Sequence, residues 1–149
     1  MSNALEVYKD YMDNAHWNYT TKEQFEQYYN RVPKFRYDTI KYCWDQVVKN
    51  DFKTIVELGT TRSFVDGKYP GCNENDTKYW QPKVPAIWDW SAGCFTRVIG
   101  EMIQGTDIEL ITVDLNPLHI ERSKVVTKGL SNICLLYTSD AADEEECGG

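Results

Sequence analysis

The first fifty residues carry hydrophobic positions at helical spacing. Apolar side chains recur at steps of three and four residues near the start of the chain, which predicts an amphipathic helix: Ala4, Leu5, Tyr8, Tyr11 and Met12. A capping pattern at Thr21 predicts a second helix that ends at Pro33. A third helix is predicted over residues 37–49, with four apolar side chains on one face: Ile40, Trp44, Val47 and Val48. We therefore interpret residues 1–50 as a helical N-terminal cap.

The hydrophobic period changes after Asn50. Two short runs rich in β-branched residues, at 54–58 and 108–113, are typical of buried parallel strands. Between them, residues 94–104 predict a helix with one apolar face: Phe95, Val98, Ile99, Met102 and Ile103. Asn116 and Pro117 predict the start of a further helix, and Gly129 predicts its end. A third strand is predicted to begin at residues 131–133.

Strands and helices that alternate in this way predict an α/β fold with a doubly wound parallel sheet, here truncated after the start of the third strand. Right-handed crossovers would place the loops after Leu58 and Val113 together at the carboxyl edge of the sheet. Residues 65–92, rich in Trp and Tyr, are too many for a simple connection, so we interpret them as an ordered aromatic insertion. The insertion could form a substrate lid, or its tryptophans could fill a satellite core.

The end of the chain has a different character from the rest. Most of its charge is acidic, and neither Lys nor Arg follows Lys128. Residues 134–144 can be encoded by eleven consecutive codons that resemble a transposase-based sequencing adapter read in frame. We therefore interpret residues 134–149 as a non-native tail, with a natural acidic interaction arm as the alternative.

Composition excludes several functional classes. The net charge of −7 argues against nucleic-acid binding, and no apolar run approaches the roughly 18 residues of a membrane span. Residues 1–10 lack the layout of a signal peptide, so we expect a cytoplasmic protein. Five cysteines without a CxxC pair, with only two histidines, predict reduced thiols and no metal site. Both histidines, His16 and His119, are expected to be surface or cap residues.

The candidate ligand-binding residues lie at the ends of two predicted strands. Gly59, directly after the first strand, would let the backbone turn sharply and allow a ligand to approach the main chain. Asp114, at the end of the second strand, could accept both hydroxyl protons of a ribose. Simpler interpretations stay open, because Asp114 could only cap the following helix and Glu57 could be an exposed strand-end carboxylate.

At these residues the sequence resembles the class I S-adenosylmethionine-dependent methyltransferases, over about residues 51–133. Residues 56–60 are similar to the first motif of that family, and residues 113–117 to its ribose-binding strand end. The resemblance implies a Rossmann-like cofactor domain, S-adenosylmethionine as cofactor and a small-molecule methyl acceptor. It also implies that Glu57 orients the loop and the methionine end of the cofactor, while the others contact the cofactor directly: Gly59 and Thr60 by backbone, Asp114 at the ribose and Leu115 near the adenine.

The sequence departs from the family pattern at two points. Thr61 and Ser63 stand where further glycines are usual, and the insertion places 57 positions between Glu57 and Asp114. The dehydrogenase fingerprint fits less well, because it needs Gly-x-Gly-x-x-Gly and an acid about 20 residues later. We assign no catalytic residue, since the acceptor-side groups of the family follow later strands.

Two alternatives to a methyltransferase stay open. The chain could be a non-catalytic truncated fragment with weak or no cofactor binding, or an NAD-dependent oxidoreductase. We expect no nucleic-acid or membrane partner. A three-stranded sheet would have an uncovered edge, so we also expect marginal stability and self-association.

Overall fold

The computed structural model describes residues 2–13, 36–61, 83–88, 90 and 94–138. The second predicted helix, at Thr21, and most of the predicted insertion lie outside the described residues. The described helices and strands follow in chain order: α1 (Ala4–Val7), α2 (Lys9–Asp13), α3 (Arg36–Lys49), β1 (Thr54–Leu58), a 3-10 turn (Pro85–Ile87), α4 (Phe95–Met102), β2 (Glu109–Asp114), α5 (Pro117–Val126) and β3 (Ile133–Tyr137).

The strands form one parallel, open sheet in the order β1-β2-β3. Leu110 of β2 pairs with Ile55 on one side and with Ile133 on the other, which fixes the register of all three strands. The α/β architecture predicted from the alternating pattern is therefore confirmed for the described part of the chain.

The two faces of the sheet are covered differently. Ile55, Leu110 and Leu135 share one face and are buried, where α4 packs against β2 and α5 packs against β2 and β3. On the opposite face of β1, the side chains of Val56 and Leu58 are 58% and 84% exposed. Parallel sheets are ordinarily covered on both faces, so at β1 this second face is an exposed apolar surface, whereas at β3 the side chain of Cys134 on the same face is buried.

The N-terminal helices join the same core as the sheet. Four of the five residues predicted to form the first helical stripe are buried: Ala4, Leu5, Tyr8 and Met12. Tyr11 is 38% exposed. In α3, Ile40, Trp44 and Val47 are buried, but Val48 is 53% exposed. The prediction for Val48 is therefore wrong.

Residues at the ends of α4 and α5 explain where these two helices begin or end. The side chain of Asn116 accepts a hydrogen bond of 2.9 Å from the amide of Leu118, and Pro117 occupies the first turn of α5. Gly105 and Gly129, after α4 and α5, have positive φ angles of 77° and 89°. The predicted stop at Gly129 thus coincides with left-handed backbone, which glycine adopts without strain, and Gly105 has the same conformation.

The third strand is longer than the sequence predicts. Only Ile133 belongs to the part of the chain interpreted as native, whereas the other four of its five residues lie in the predicted tail. Cys134 and Leu135 are buried, so these positions belong to the packed sheet, while the origin of residues 134–149 stays a prediction. Cys43 and Cys94 form no disulfide bond, but Cys134 is disulfide-bonded, so the reduced-thiol prediction is wrong for Cys134.

Candidate functional site

The loop after β1 lies directly against the end of β2. The amide of Gly59 donates a hydrogen bond of 2.7 Å to the carbonyl oxygen of Val113. The next amide, that of Thr60, donates to Oδ2 of Asp114 at 3.1 Å. The predicted meeting of the two loops at the carboxyl edge is confirmed, while their role in ligand binding stays a prediction.

The carboxylate of Asp114 is held from three directions. Besides the Thr60 amide at Oδ2, the amide of Asn116 donates to Oδ1 at 2.8 Å. Nδ1 of His119 lies 3.2 Å from the same Oδ1. The side chain of Asp114 is only 12% exposed, and its contact with Asn116 shows that it also caps the entry to α5. The capping and ligand-binding interpretations are therefore compatible.

The carboxyl group of Glu57 is largely enclosed, so the interpretation as an exposed strand-end group is wrong. Its Oε1 accepts hydrogen bonds from the hydroxyls of Thr96, at 2.6 Å, and Thr112, at 2.7 Å. Burial raises the pKa of Glu57 to about 7 against the opposing effect of the two hydroxyl donors, and the negative charge of Asp114 adds to the rise. This acid is thus poised to change charge near neutral pH.

A buried chain of hydroxyl groups links Glu57 to both neighbouring helices. Thr96 donates its single hydroxyl proton to Glu57, so at 3.3 Å it can only accept from the hydroxyl of Thr60. Thr60 in turn accepts from Ser123 of α5 at 2.6 Å. Thr96 also accepts from the amide of Thr61 at 3.1 Å. The loop after β1 is therefore fixed through side chains of α4 and α5 as well as by Asp114.

Leu115 lies at the rim of this arrangement, next to Asp114, and is 79% exposed. The structure therefore gathers four of the predicted residues, Glu57, Gly59, Thr60 and Asp114, into one hydrogen-bonded unit with Leu115 beside it. Three further residues of this unit were not predicted as site residues: Thr96, Ser123 and His119. Thr96 and Ser123 could have been noticed as polar side chains at core-facing helical positions.

The bend at Gly59 gives a first testable prediction. Its φ angle is +91°, and a Cβ at this position would meet nothing within 4 Å. We expect Gly59→Ala to lower the free energy of unfolding by about 1–2 kcal/mol through backbone strain alone. Urea denaturation measures the loss. Gly105→Ala, at a φ of +77° with equally open space, should show a loss of similar size, and unchanged stability in Gly59→Ala would contradict the prediction.

The described tryptophans of the insertion pack against the N-terminal helices. Trp88 and Trp90 are buried, and their ring centroids lie 5.5 and 5.4 Å from that of Tyr8. Tyr11 stacks on Trp90 at 5.7 Å, and the Trp90 indole donates to the carbonyl of Pro85 at 2.8 Å. For these two residues the structure supports the core interpretation. The other insertion tryptophan, Trp80, lies outside the described residues.

Comparisons with known proteins found no match among protein-family models, curated proteins or solved structures. In the described ranges, no helix combines the length and apolar character needed to cross a membrane. The same part of the chain holds no group of three or more His, Cys, Asp or Glu side chains able to bind a metal ion. Any inference about function therefore depends on the geometry at the carboxyl edge of the sheet.

Proposed function

We propose that this chain is the N-terminal, cofactor-binding part of an S-adenosylmethionine-dependent methyltransferase with a Rossmann-like fold. One observation carries the proposal: the amide of Thr60 binds Oδ2 of Asp114. That contact joins a glycine bend after one parallel strand to an acidic residue at the end of the adjacent strand. An adenosyl group could thus approach the exposed main chain at the Gly59 bend and a hydroxyl-binding carboxylate at the same place.

The strand order also supports this proposal. In the order β1-β2-β3 the second strand lies in the middle, as in one half of a doubly wound sheet with the order 3-2-1-4-5-6. In a flavodoxin-like sheet β1 would instead lie between the other two strands. Open α/β sheets bind ligands at the carboxyl ends of their strands, where Gly59 and Asp114 meet.

Each predicted residue has a role that its position allows. Asp114 would accept hydroxyl protons from the ribose, the backbone at Gly59 and Thr60 would contact the cofactor, and the exposed side chain of Leu115 would cover the adenine. Glu57 would orient the loop through Thr96, which accepts from the amide of Thr61.

S-adenosylmethionine would supply an activated methyl group on its sulfonium. The protein would then align donor and acceptor and exclude water. We propose a small-molecule acceptor and a cytoplasmic location, and we assign no catalytic base.

Calorimetry with S-adenosylhomocysteine tests the proposal. We expect saturable binding to the full chain, and Asp114→Ala should abolish the signal because the hydroxyl acceptor is lost. Glu109→Ala is the matched control, since this acid is exposed at the opposite end of the same strand, and it should bind as the wild type does. No binding to the wild type would favour the non-catalytic fragment, and competition by NAD for the same site would favour an oxidoreductase.

A further inference from the structure

We infer that His119 holds the carboxylate of Asp114 with one acceptor position free, so that the site receives one ribose hydroxyl and not both. The inference rests on the proposed function and refines it. It makes His119 a positioning residue, which acts on the ligand through Asp114.

The hydrogen bonds around Asn116 determine which nitrogen of His119 carries the proton. The Asn116 Oδ1 accepts from the amide of Leu118 at 2.9 Å, so the orientation of the Asn116 amide group is set. Its Nδ2, a donor only, therefore faces Nε2 of His119 at 3.3 Å. Nε2 must then be the acceptor, and the neutral imidazole carries its proton on Nδ1.

The proton on Nδ1 of His119 is directed to Asp114. Nδ1 lies 3.2 Å from Oδ1, which also accepts from the amide of Asn116 at 2.8 Å. A carboxylate oxygen offers two lone pairs, so both positions on Oδ1 are used. Oδ2 accepts from the amide of Thr60, which leaves a single position on Asp114 without a donor in the described part of the chain.

The remaining acceptor position limits what the site can recognise. Bidentate capture of a ribose diol requires two vacant positions, one for each hydroxyl proton. While His119 donates to Asp114, the carboxylate has only one vacant acceptor position. The second hydroxyl of the ribose therefore has no acceptor on this carboxylate. Removal of the His119 donor would restore a second position, on Oδ1.

Adenosine and its 2′-deoxy and 3′-deoxy analogues test this inference by calorimetry. For the wild type we expect one deoxy analogue to bind within about threefold of adenosine and the other to lose about tenfold or more, since it lacks a hydrogen bond to a charged group. In His119→Phe, which keeps a ring and loses the donor, both analogues should lose about tenfold. His119→Asn, whose amide nitrogen can replace Nδ1, should behave as the wild type.

Failure of this inference is distinguishable from failure of the proposed function. Nitrogen NMR of the imidazole in the ligand-free protein should show the proton on Nδ1, and Asn116→Ala should weaken that preference. A proton on Nε2, or equal penalties for both deoxy analogues in the wild type, would overturn the inference and leave the proposed function standing. If neither adenosine nor S-adenosylhomocysteine binds, the proposed function is wrong, and the inference falls with it.

Discussion

Leu110→Ala is expected to lower the free energy of unfolding by about 3–5 kcal/mol, the range for truncating a fully buried leucine. Leu110 is 0% exposed, lies in the middle strand and pairs with both neighbours. Its side chain belongs to the core beneath α4. The substitution would leave a cavity between the sheet and this helix, and both are too rigid to close it. A loss of this size is a large part of the roughly 5–15 kcal/mol by which a domain is stable, so the variant is expected to unfold at a much lower urea concentration.

Leu58→Ala is the matched control, since it makes the same truncation on the uncovered face. Leu58 is 84% exposed, so we expect a change within about 0.5 kcal/mol. Urea denaturation at several protein concentrations measures both variants. Similar losses at the two positions would contradict the prediction, and a loss at Leu58 that grows with protein concentration would show that a second copy covers this face.

The stability of the protein is expected to fall as the pH rises from about 4.5 to 7. The pKa of Glu57 is raised from 4.5 to about 7 in the folded protein, so in this range the folded state holds a proton that the unfolded chain has released. The stabilisation by this proton is complete below pH 4.5 and is lost by about pH 7. At about 1.4 kcal/mol for each pH unit, the total decrease is about 3 kcal/mol.

Glu57→Gln should remove this pH dependence. Its amide oxygen can still accept from Thr96 and Thr112, but it carries no charge to bury, so we expect greater stability than the wild type above pH 7. Urea denaturation between pH 4 and 8 measures both profiles. Glu109→Gln, at an exposed position, should keep the wild-type slope, and an unchanged slope in Glu57→Gln would contradict the assignment to Glu57.

Much of the fold could be predicted because it depends on local pattern. Residues 54–58 form β1 with the predicted bounds, and residues 94–104 contain α4. Asn116 and Pro117 begin α5 through short-range effects, the N-cap hydrogen bond to Leu118 and the fixed φ angle of proline. The meeting of Gly59 with Asp114 was also predictable, since parallel strands bring their carboxyl ends to the same edge.

The rest depends on contacts between residues far apart in the chain. In the sequence, Thr96 and Ser123 are ordinary helical residues. Only the folded structure shows that both contact the hydroxyl of Thr60. His119 follows Asp114 by five positions, a spacing without a known signature, and its relation to the carboxylate arises only because α5 begins at Asn116. The raised pKa of Glu57 likewise depends on enclosure by three separate elements.

Four of the five residues of β3 lie in the predicted non-native tail, and this has a consequence for how the sheet tolerates unrelated sequence. The hydrogen bonds between parallel strands use main-chain groups alone. The covered face of the sheet requires only apolar side chains at positions such as Leu135. A coding sequence spliced in after Ile133 would therefore be adopted as a strand if it began with a few hydrophobic codons. A polypeptide trimmed at Ile133 would leave β2 as an edge strand of the sheet.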